Sequence, residues 1–598
     1  MVILMNEISL FQKKMSDNLI DAYIITSNDY HMSEYVSDYF KSIQFLTGFK
    51  GDEGTLIITK DKAYLWIDIK FYLQAEMQVG DRPVEIMRVS NPNTPSPIEF
   101  LKKYFTNPNN KTLGFDSKLI STEKVKKIFD ELPSVIINKN TDIINVIWDK
   151  RPNLPFSLVY KLSEFFAGRK YKDKLNDILA KMKDEMFDMH IITSLEDQAW
   201  LYNLRGNDVN HTPIFLCYTV ITPEETTLFI NTKKIDNTID KYLKAENIKV
   251  KEYSEFYEYL KNVNNKKILI NLEKTNYEIF EILNLRKNLI VNKPNPSTLL
   301  KAIKNKSEIK NLRIAHQKDG VALTKLIYHF KKNLRENVEL TEISVAEQLE
   351  EYKKKIKGYI DSSFETISAF NGHASMIHYS PTPETNSKIT GNGLLLLDSG
   401  SHYMEGTTDV TRTLVVGKLN DKMKTQYTTV LKSMIALNKA VFLKGTTGLN
   451  LDILAREPIW NIGMDYKCKT GHGVGYLLSI HEEPNNFYWK QDEKYRAQEI
   501  LPGMVTTNEP GIYVDGSYGI RIENELLCVE INKTEFGEFY GFETLTLCPI
   551  DLDAIKVSIL AKEEKEWLND YHQKVYDEIS PSLNDEEREW LQEYTKKI

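Results

Sequence analysis

Cysteine is scarce in this chain of 598 residues: Cys217, Cys468, Cys528 and Cys548, none in a C-x-x-C pair. That excludes a disulfide scaffold and a thiolate zinc site, and it fits a reducing compartment. No apolar stretch reaches the 18 residues of a membrane-spanning helix. The opening MVILMNEISLFQKK lacks a basic n-region, and its apolar run is too short for a signal-peptide core. An excess of one charge sign is also missing. Lys and Arg number 77 against 84 Asp and Glu, a net charge of −7, with no long single-sign block. Nucleic acid and anionic membrane therefore have no electrostatic case as partners, and the patch KNVNNKK at 261–267 reads as surface bias.

What is present is ordinary globular material, 41% apolar and 27% charged. At roughly 100–200 residues per domain the length suggests about three to five domains. Between 20 and 70, turn residues alternate with β-branched and aromatic runs, and LIITKDKAYLWID reads as two strands around a polar turn. The pattern returns. Ile24-Ile25-Thr26-Ser27 recurs as Ile191-Ile192-Thr193-Ser194, and ITKDKAYLWID (58–68) recurs as ITPEETTLFIN (221–231), pairing Thr59 with Thr222, Leu65 with Leu228 and Asp68 with Asn231. This predicts an internal duplication, two similar α/β domains in tandem.

The proline-bearing, charged segment WDKRPNLPFS (148–157) marks a linker between the copies, and NKPNPS (292–297) marks a second break. Helical spacing follows in SEIKNLRIAHQKDGVALTKLIYHF, with a capping box from Asn305 and Glu308; Ser344 and Glu347 offer another before VAEQLEEYKKKI. From about 364 to 550 the pattern is strands and Gly-rich turns, and the last fifty residues read as charged helix with Trp567 and Trp590 as anchors. The expected division is 1–150, 151–296, 297–550 and a helical extension 551–598.

The chemistry concentrates in the third region. LLLLDSGSHYMEGTTDVTRTLVV (394–416) is an apolar run that nevertheless carries Asp398 and Asp409. If 394–400 and 409–416 are strands around the loop HYMEGTT, the two aspartates are near mirror positions, about 4.5–5.5 Å apart at Cβ. Carboxylates so close cannot both stay ionised without a cation. A second hairpin repeats the device, with Glu509 before and Glu523 after the turn Asp515-Gly516-Ser517. Four carboxylates match two divalent cations. Five of the eleven histidines (His373, His378, His402, His472, His481) fall between 373 and 481, and His472 sits in TGHGVG, where glycines let the backbone approach closely. Oxygen donors with one imidazole favour Mn²⁺, with Zn²⁺ or Co²⁺ as alternatives. Two such ions about 3.5–4 Å apart would hold a bridging hydroxide and polarise a carbonyl. Taken singly, an aspartate in a strand is usually a turn or cap residue, Gly-His-Gly a tight turn, and Glu523 beside Arg521 a surface pair. Five donors in hairpin-consistent positions outweigh those readings.

The segments DSG, GTTDVTRT, CKTGHGVG, HEEP, NEPGIY and GIRIEN resemble the metal-dependent aminopeptidase P family, of the pita-bread or creatinase-like fold. DQAWLYNLRG (197–206), WDKRP, IHYSP (377–381), FETLTLCPI and WLNDYH extend the resemblance to nearly the whole chain and to the large, three-domain cytosolic form. The resemblance implies an α/β chain: two creatinase-N-terminal-like domains, then a pita-bread catalytic domain. It implies that Asp398 chelates one metal, that Asp409 and Glu523 bridge both, and that His472 and Glu509 complete the other, with Glu509 also taking the proton of the bridging water. His378 and His481 would line the site, one stabilising the tetrahedral intermediate, the other holding substrate or passing a proton to the leaving nitrogen. Arg521 would orient substrate or the surroundings of Glu523. Phe364 and Tyr379 are candidate walls for a proline ring, each open to a core role instead. Asp208 is a candidate for the substrate's free amine, with loop capping as the alternative. His402, where family members commonly carry a small residue, is expected in a solvent-facing loop.

The implied activity is removal of the N-terminal residue from short peptides with proline second. The competing readings are a prolidase confined to dipeptides and a non-catalytic peptide-binding module, although such modules typically lose metal ligands and all five are present here. The resemblance further suggests a homodimer and a cytoplasmic location, with a second, acidic digestive compartment left open.

Overall fold

The computed structural model describes residues 6–89, 91–106, 111–139, 141–491 and 497–598; the first residues of the N-terminal segment discussed above lie outside them. The chain divides into two compact units, one of residues 1–162 and 169–297, the other of 163–168 and 298–598.

The first unit contains the duplication. One six-stranded sheet runs Val84–Arg88, Ala63–Ile67, Thr55–Thr59, Ala22–Thr26, Thr112–Gly114, Ile136–Asn138. The second runs Ile248–Lys251, Thr226–Ile230, Cys217–Ile221, Met189–Ile192, Lys267–Ile270, Leu289–Asn292, with the same sequence of parallel and antiparallel pairings. The repeat reaches individual hydrogen bonds. In the first hairpin Lys62 N–H donates to the Thr59 hydroxyl at 3.1 Å; in the second Glu225 N–H donates to that of Thr222 at 3.1 Å. Asp68 caps the next turn through Lys70 N–H, and Asn231 caps its counterpart through Lys233 N–H. The residues paired from sequence thus hold equivalent places. Trp148 closes the last helix of the first repeat, and 151–159 carry neither helix nor strand, as the linker reading expects.

The second unit is built around an eleven-on-eleven hairpin, Gly393–Tyr403 with Gly406–Val416, buried at every position. Its back face packs Leu395, Leu397, Val410 and Leu414 against Leu323, Leu326, Ile327 and Phe330 of the 30-residue helix Lys306–Arg335, which opens on the expected Asn305–Glu308 capping box. Side chains alternate across a strand, so Asp398 and Asp409 face the other way. A six-stranded sheet, Phe442–Leu443, Gly537–Thr544, Asn524–Thr534, Val505–Asn508, Gly471–Gly473, Glu482–Phe487, supplies the remaining site residues, together with the ribbon Gly511–Val514/Tyr518–Arg521.

Four expectations are corrected. The first turn is only Met404-Glu405, so Asp398 stands opposite Thr411 and Asp409 opposite Gly400. The aspartates share a face as diagonal neighbours, about 7–8 Å apart at Cα, rather than directly across. For the same reason His402 is not in a loop: it lies in the strand, 1% exposed, with Nδ1 2.9 Å from the Thr407 hydroxyl. The helix Glu342–Lys354 is capped by Thr341 with Ser344 at its third position, not by Ser344 with Glu347. The earlier start carries Glu342, whose buried carboxylate accepts from Phe370 N–H and Ser387 N–H. Finally, 364–550 is not all strand and turn. Helices Asp421–Asn438 and Gly448–Trp460 interrupt it, the first burying Tyr427, Val430, Leu431, Met434 and Ile435 at helical spacing.

Candidate metal centre

The hairpin ending at Gly406–Val416 brings Asp409 inward, and the second ribbon brings the glutamates. Asn508 pairs with Asn524 and Gly511 with Arg521, one continuous register that sets Glu509 opposite Glu523. Pro510 has no N–H to continue the ladder, so the ribbon parts there and both carboxylates turn in. His472 comes from a strand pressed unusually close to its neighbours. A Cβ on Gly471 would lie 1.8 Å from the Thr507 carbonyl, and one on Gly473 would lie 2.3 Å from that of Glu482. Only glycine permits that approach.

These elements converge. Asp409, His472 and Glu523 each present a ligand atom within 4.8 Å of the others. His472 Nε2 is 3.5 Å from Asp409 Oδ2 and 3.5 Å from Glu509 Oε1. That is too long for hydrogen bonding, but it suits two donors on one cation with bonds of about 2.0–2.2 Å. Nδ1 of His472 donates to the Gly473 carbonyl at 3.0 Å, which leaves Nε2 free of its proton and able to ligate. Asp398 Oδ2 is held by Arg521, while Asp398 Oδ1 is buried with no partner. An orphaned carboxylate oxygen beside three further carboxylates is what a cation would satisfy.

Electrostatics point the same way. Burial, then repulsion from Glu523, Asp398 and Glu509, pushes the Asp409 carboxyl far above its ordinary range. Burial, then Glu509 and Asp398, does the same to Glu523. Burial raises Glu509 to about 7, against the pull of Arg521. Protons would have to neutralise this cage unless divalent cations did, and hard oxygen donors with one imidazole fit such ions.

Comparison with known proteins agrees along the full length. Residues 310–530 match the metallopeptidase family M24, 8–151 and 150–308 each match the creatinase/prolidase N-terminal domain, and 538–598 match the C-terminal region of peptidase M24. A probable Xaa-Pro aminopeptidase P of Coprinopsis cinerea is 35% identical, covering 96% of this chain and 95% of that protein. Xaa-Pro aminopeptidase 1 of Dictyostelium discoideum is 34% identical over 95% of this chain and 92% of its own length. The crystal structure of the X-prolyl aminopeptidase of Caenorhabditis elegans, described as a cytosolic enzyme with a di-nuclear active site, superposes with a TM-score of 0.93 at 31% identity, covering 99% of this chain and 98% of that one. The chain belongs to the aminopeptidase P family.

The other candidate residues of this aminopeptidase P chain fall into two groups. Gathered at the centre are His481, whose ring lies edge-on to His472 with centroids 4.3 Å apart, and Arg521, wholly buried. Arg521 donates to Asp398, to the Tyr513 hydroxyl (2.7 Å) and to the Thr411 hydroxyl (3.0 Å). Half-buried His378 lies in the turn whose Ile377 carbonyl is 3.5 Å from Arg521 Nη2. The Phe364 ring lies against Gly400, on the face shared with Asp409; a Cβ there would be 2.9 Å from the ring. Tyr379 is instead a core aromatic, 4% exposed, packed with Ile367, Met376 and Leu396 and hydrogen-bonded to Glu342. Asp208 lies in the other compact unit with both oxygens taken: Oδ1 accepts from Ser157 N–H and hydroxyl, Oδ2 from Leu216 N–H and the Lys234 ammonium. That is the capping role.

Residues that sequence reasoning missed hold the carboxylates in place. The Thr411 hydroxyl donates to Glu523 Oε2 at 2.6 Å, and that of Thr507 accepts from His472 N–H at 3.0 Å and donates to Glu509 at 3.4 Å. Buried Lys353 donates to the Gly400 carbonyl at 2.9 Å. Strand pairing and the packing of a helix on the hairpin create most of these contacts, and no local motif announces them.

Proposed function

We propose that this chain hydrolyses the bond between an N-terminal residue and a following proline, with Asp398, Asp409, His472, Glu509 and Glu523 as the ligands of two divalent cations. What supports the activity above all is the end-to-end likeness, N-terminal duplication included, to an X-prolyl aminopeptidase with a di-nuclear site. When bound, the cations supply Lewis acidity toward the scissile carbonyl and acidify water. The chain's own groups do the rest. Glu509, opposite Glu523 and hydrogen-bonded by the Thr507 hydroxyl, is the group we assign to accept a proton from that water. To His481 and His378 we assign steadying the carbonyl oxygen and returning a proton to the leaving nitrogen, a reading supported for His481 by its contact with the His472 ring. Arg521 holds Asp398 and, through Thr411, the aim of Glu523. Phe364 offers an apolar wall to the proline ring. The tertiary amide of an X-Pro bond has no N–H to read, so a site that grips carbonyl and nitrogen suits it.

The metals we take to be manganese, on the oxygen-rich donor set. A homodimer through the catalytic region and a cytoplasmic location complete the reading. The location is supported by four unpaired cysteines, and among the described residues no helix is long and apolar enough to cross a membrane. We assign catalysis to 297–550. Metal-replete protein should cleave an X-Pro-Y tripeptide at the X-Pro bond; cleavage of an X-Pro dipeptide alone would make it a prolidase and reject the assignment.

A further inference from the structure

Behind the metal-facing hairpin lies a polar system that the chemistry above does not use. Arg412 stands opposite Leu397, on the face turned away from Asp409 and Thr411. It is 1% exposed, and all three guanidinium nitrogens donate. Nε reaches the Cys548 and Pro549 carbonyls at 3.3 and 3.2 Å. Nη1 reaches the carbonyls of Thr411 at 2.8 Å and Glu523 at 2.6 Å. Nη2 reaches Asn524 Oδ1 at 2.9 Å, the Cys548 carbonyl at 2.8 Å and the Tyr571 hydroxyl at 2.8 Å. Every acceptor is neutral. A buried charge without a carboxylate partner costs more than an apolar side chain of similar size. What only the guanidinium offers is a rigid fork that spans several oxygens at once.

The fork joins two places. One is the Thr411–Glu523 pair, already closed by Glu523 N–H to the Thr411 carbonyl (3.1 Å) and by the Thr411 hydroxyl to the Glu523 carboxylate. The other is the C-terminal region: Cys548, Pro549, and Tyr571 in the helix Lys562–Ile579. The Tyr571 hydroxyl is oriented in turn by the Cys548 carbonyl at 2.8 Å and the Cys548 N–H at 3.3 Å.

We infer that the C-terminal helix Lys562–Ile579 is a positioning element of the metal centre, with Tyr571 and Arg412 setting the backbone of Thr411 and Glu523 and so the aim of the Glu523 carboxylate. The inference rests on the assignment of Glu523 as a metal ligand. Neither Tyr571 nor Arg412 touches the reacting atoms. Both act through the main chain.

Tyr571→Phe removes one hydroxyl and keeps the ring stacked on Trp567. Full-length, chelator-stripped protein titrated with Mn²⁺ by calorimetry should show two ions bound by the unaltered chain. In Y571F at least one should bind about tenfold more weakly, the lower end of what losing an outer partner of a ligand costs. The variant's kcat should fall while KM stays nearly unchanged. Val575→Ala, in the same helix and core, loses packing without touching Arg412 and should keep both affinities. Y571F binding both ions as tightly as the unaltered chain would overturn the inference, and so would V575A weakening them equally. No Mn²⁺ uptake by the unaltered chain would instead remove the metal reading itself, and this inference with it.

Discussion

Glu509 is the side chain to which we give two tasks, metal ligand and proton acceptor. Burial lifts its carboxyl to about 7, while its place opposite Glu523 keeps it within reach of His472. Glu509→Gln should keep the fold and lower kcat roughly 10²–10⁴-fold by removing the proton acceptor; a steady-state assay on metal-replete variant, checked by circular dichroism, reads both. Near-normal turnover would strip Glu509 of that role. His481 touches the ring of His472 without belonging to the tight trio of donors. His481→Ala should slow turnover about 10²-fold with metal content little changed by elemental analysis; loss of metal would make it a ligand instead. At this scale the sequence nominated Asp, Glu and His donors that the structure does bring close together. It was read poorly where roles depend on neighbours. Thr411 and Thr507 look like ordinary strand residues, and Tyr379 and Asp208 stayed open between functional and structural roles until their internal partners were on view.

Elements are where close approach is decided. The site needs three strands nearer together than side chains allow, and Gly471 and Gly473 make that spacing possible. Gly471→Ala would drive a methyl into the Thr507 carbonyl. The resulting strain, about 1–3 kcal/mol or more, should lower Tm by several degrees and weaken metal binding together. Thermal melts and Mn²⁺ titration test this, and an unaltered titration would contradict it. The hairpins were legible as hairpins because turn residues and paired carboxylates flank them symmetrically. The length of the first turn was not. Besides being only two residues long, the Met404-Glu405 turn is centred one position later than expected; that shift moves Asp409 from opposite Asp398 to its diagonal, and the short turn takes His402 from solvent into the strand. The helix Asp421–Asn438 did carry a signal, Tyr427, Val430, Leu431, Met434 and Ile435 at helical spacing, which the reading of 364–550 as strands and turns passed over.

For the molecule as a whole, the metal centre is a site of stored repulsion. Asp409 and Glu523 have carboxyls raised by burial and by neighbouring carboxylates, and Glu509 has its carboxyl raised by burial and then by Asp398. A carboxyl raised in the folded state favours folding while it is protonated. That contribution is complete below its unfolded value, 4.5 for Glu509, and is lost as pH climbs through about 7. Metal-free protein should therefore melt lower near pH 8 than near pH 5.5, and saturating Mn²⁺ should add most stability at the higher pH, where the carboxylates are ionised. Scanning calorimetry with chelator or metal at the two pH values measures this; a metal gain no larger at high pH would refute it.

The sequence by itself determined the duplicated α/β domains, the acidic pairs, the glycine-flanked histidine and the family they resemble, because these are matters of residue type and spacing along one chain. Only the tertiary structure decided which residues meet: that Arg521 holds Asp398, that Thr411 aims Glu523, that Asp208 and Tyr379 are taken by internal partners, and that a C-terminal tyrosine reaches the back of the metal hairpin. The contacts of Arg521, Thr411 and Tyr571 join segments more than a hundred residues apart, and strand register and packing, not local composition, bring such segments together.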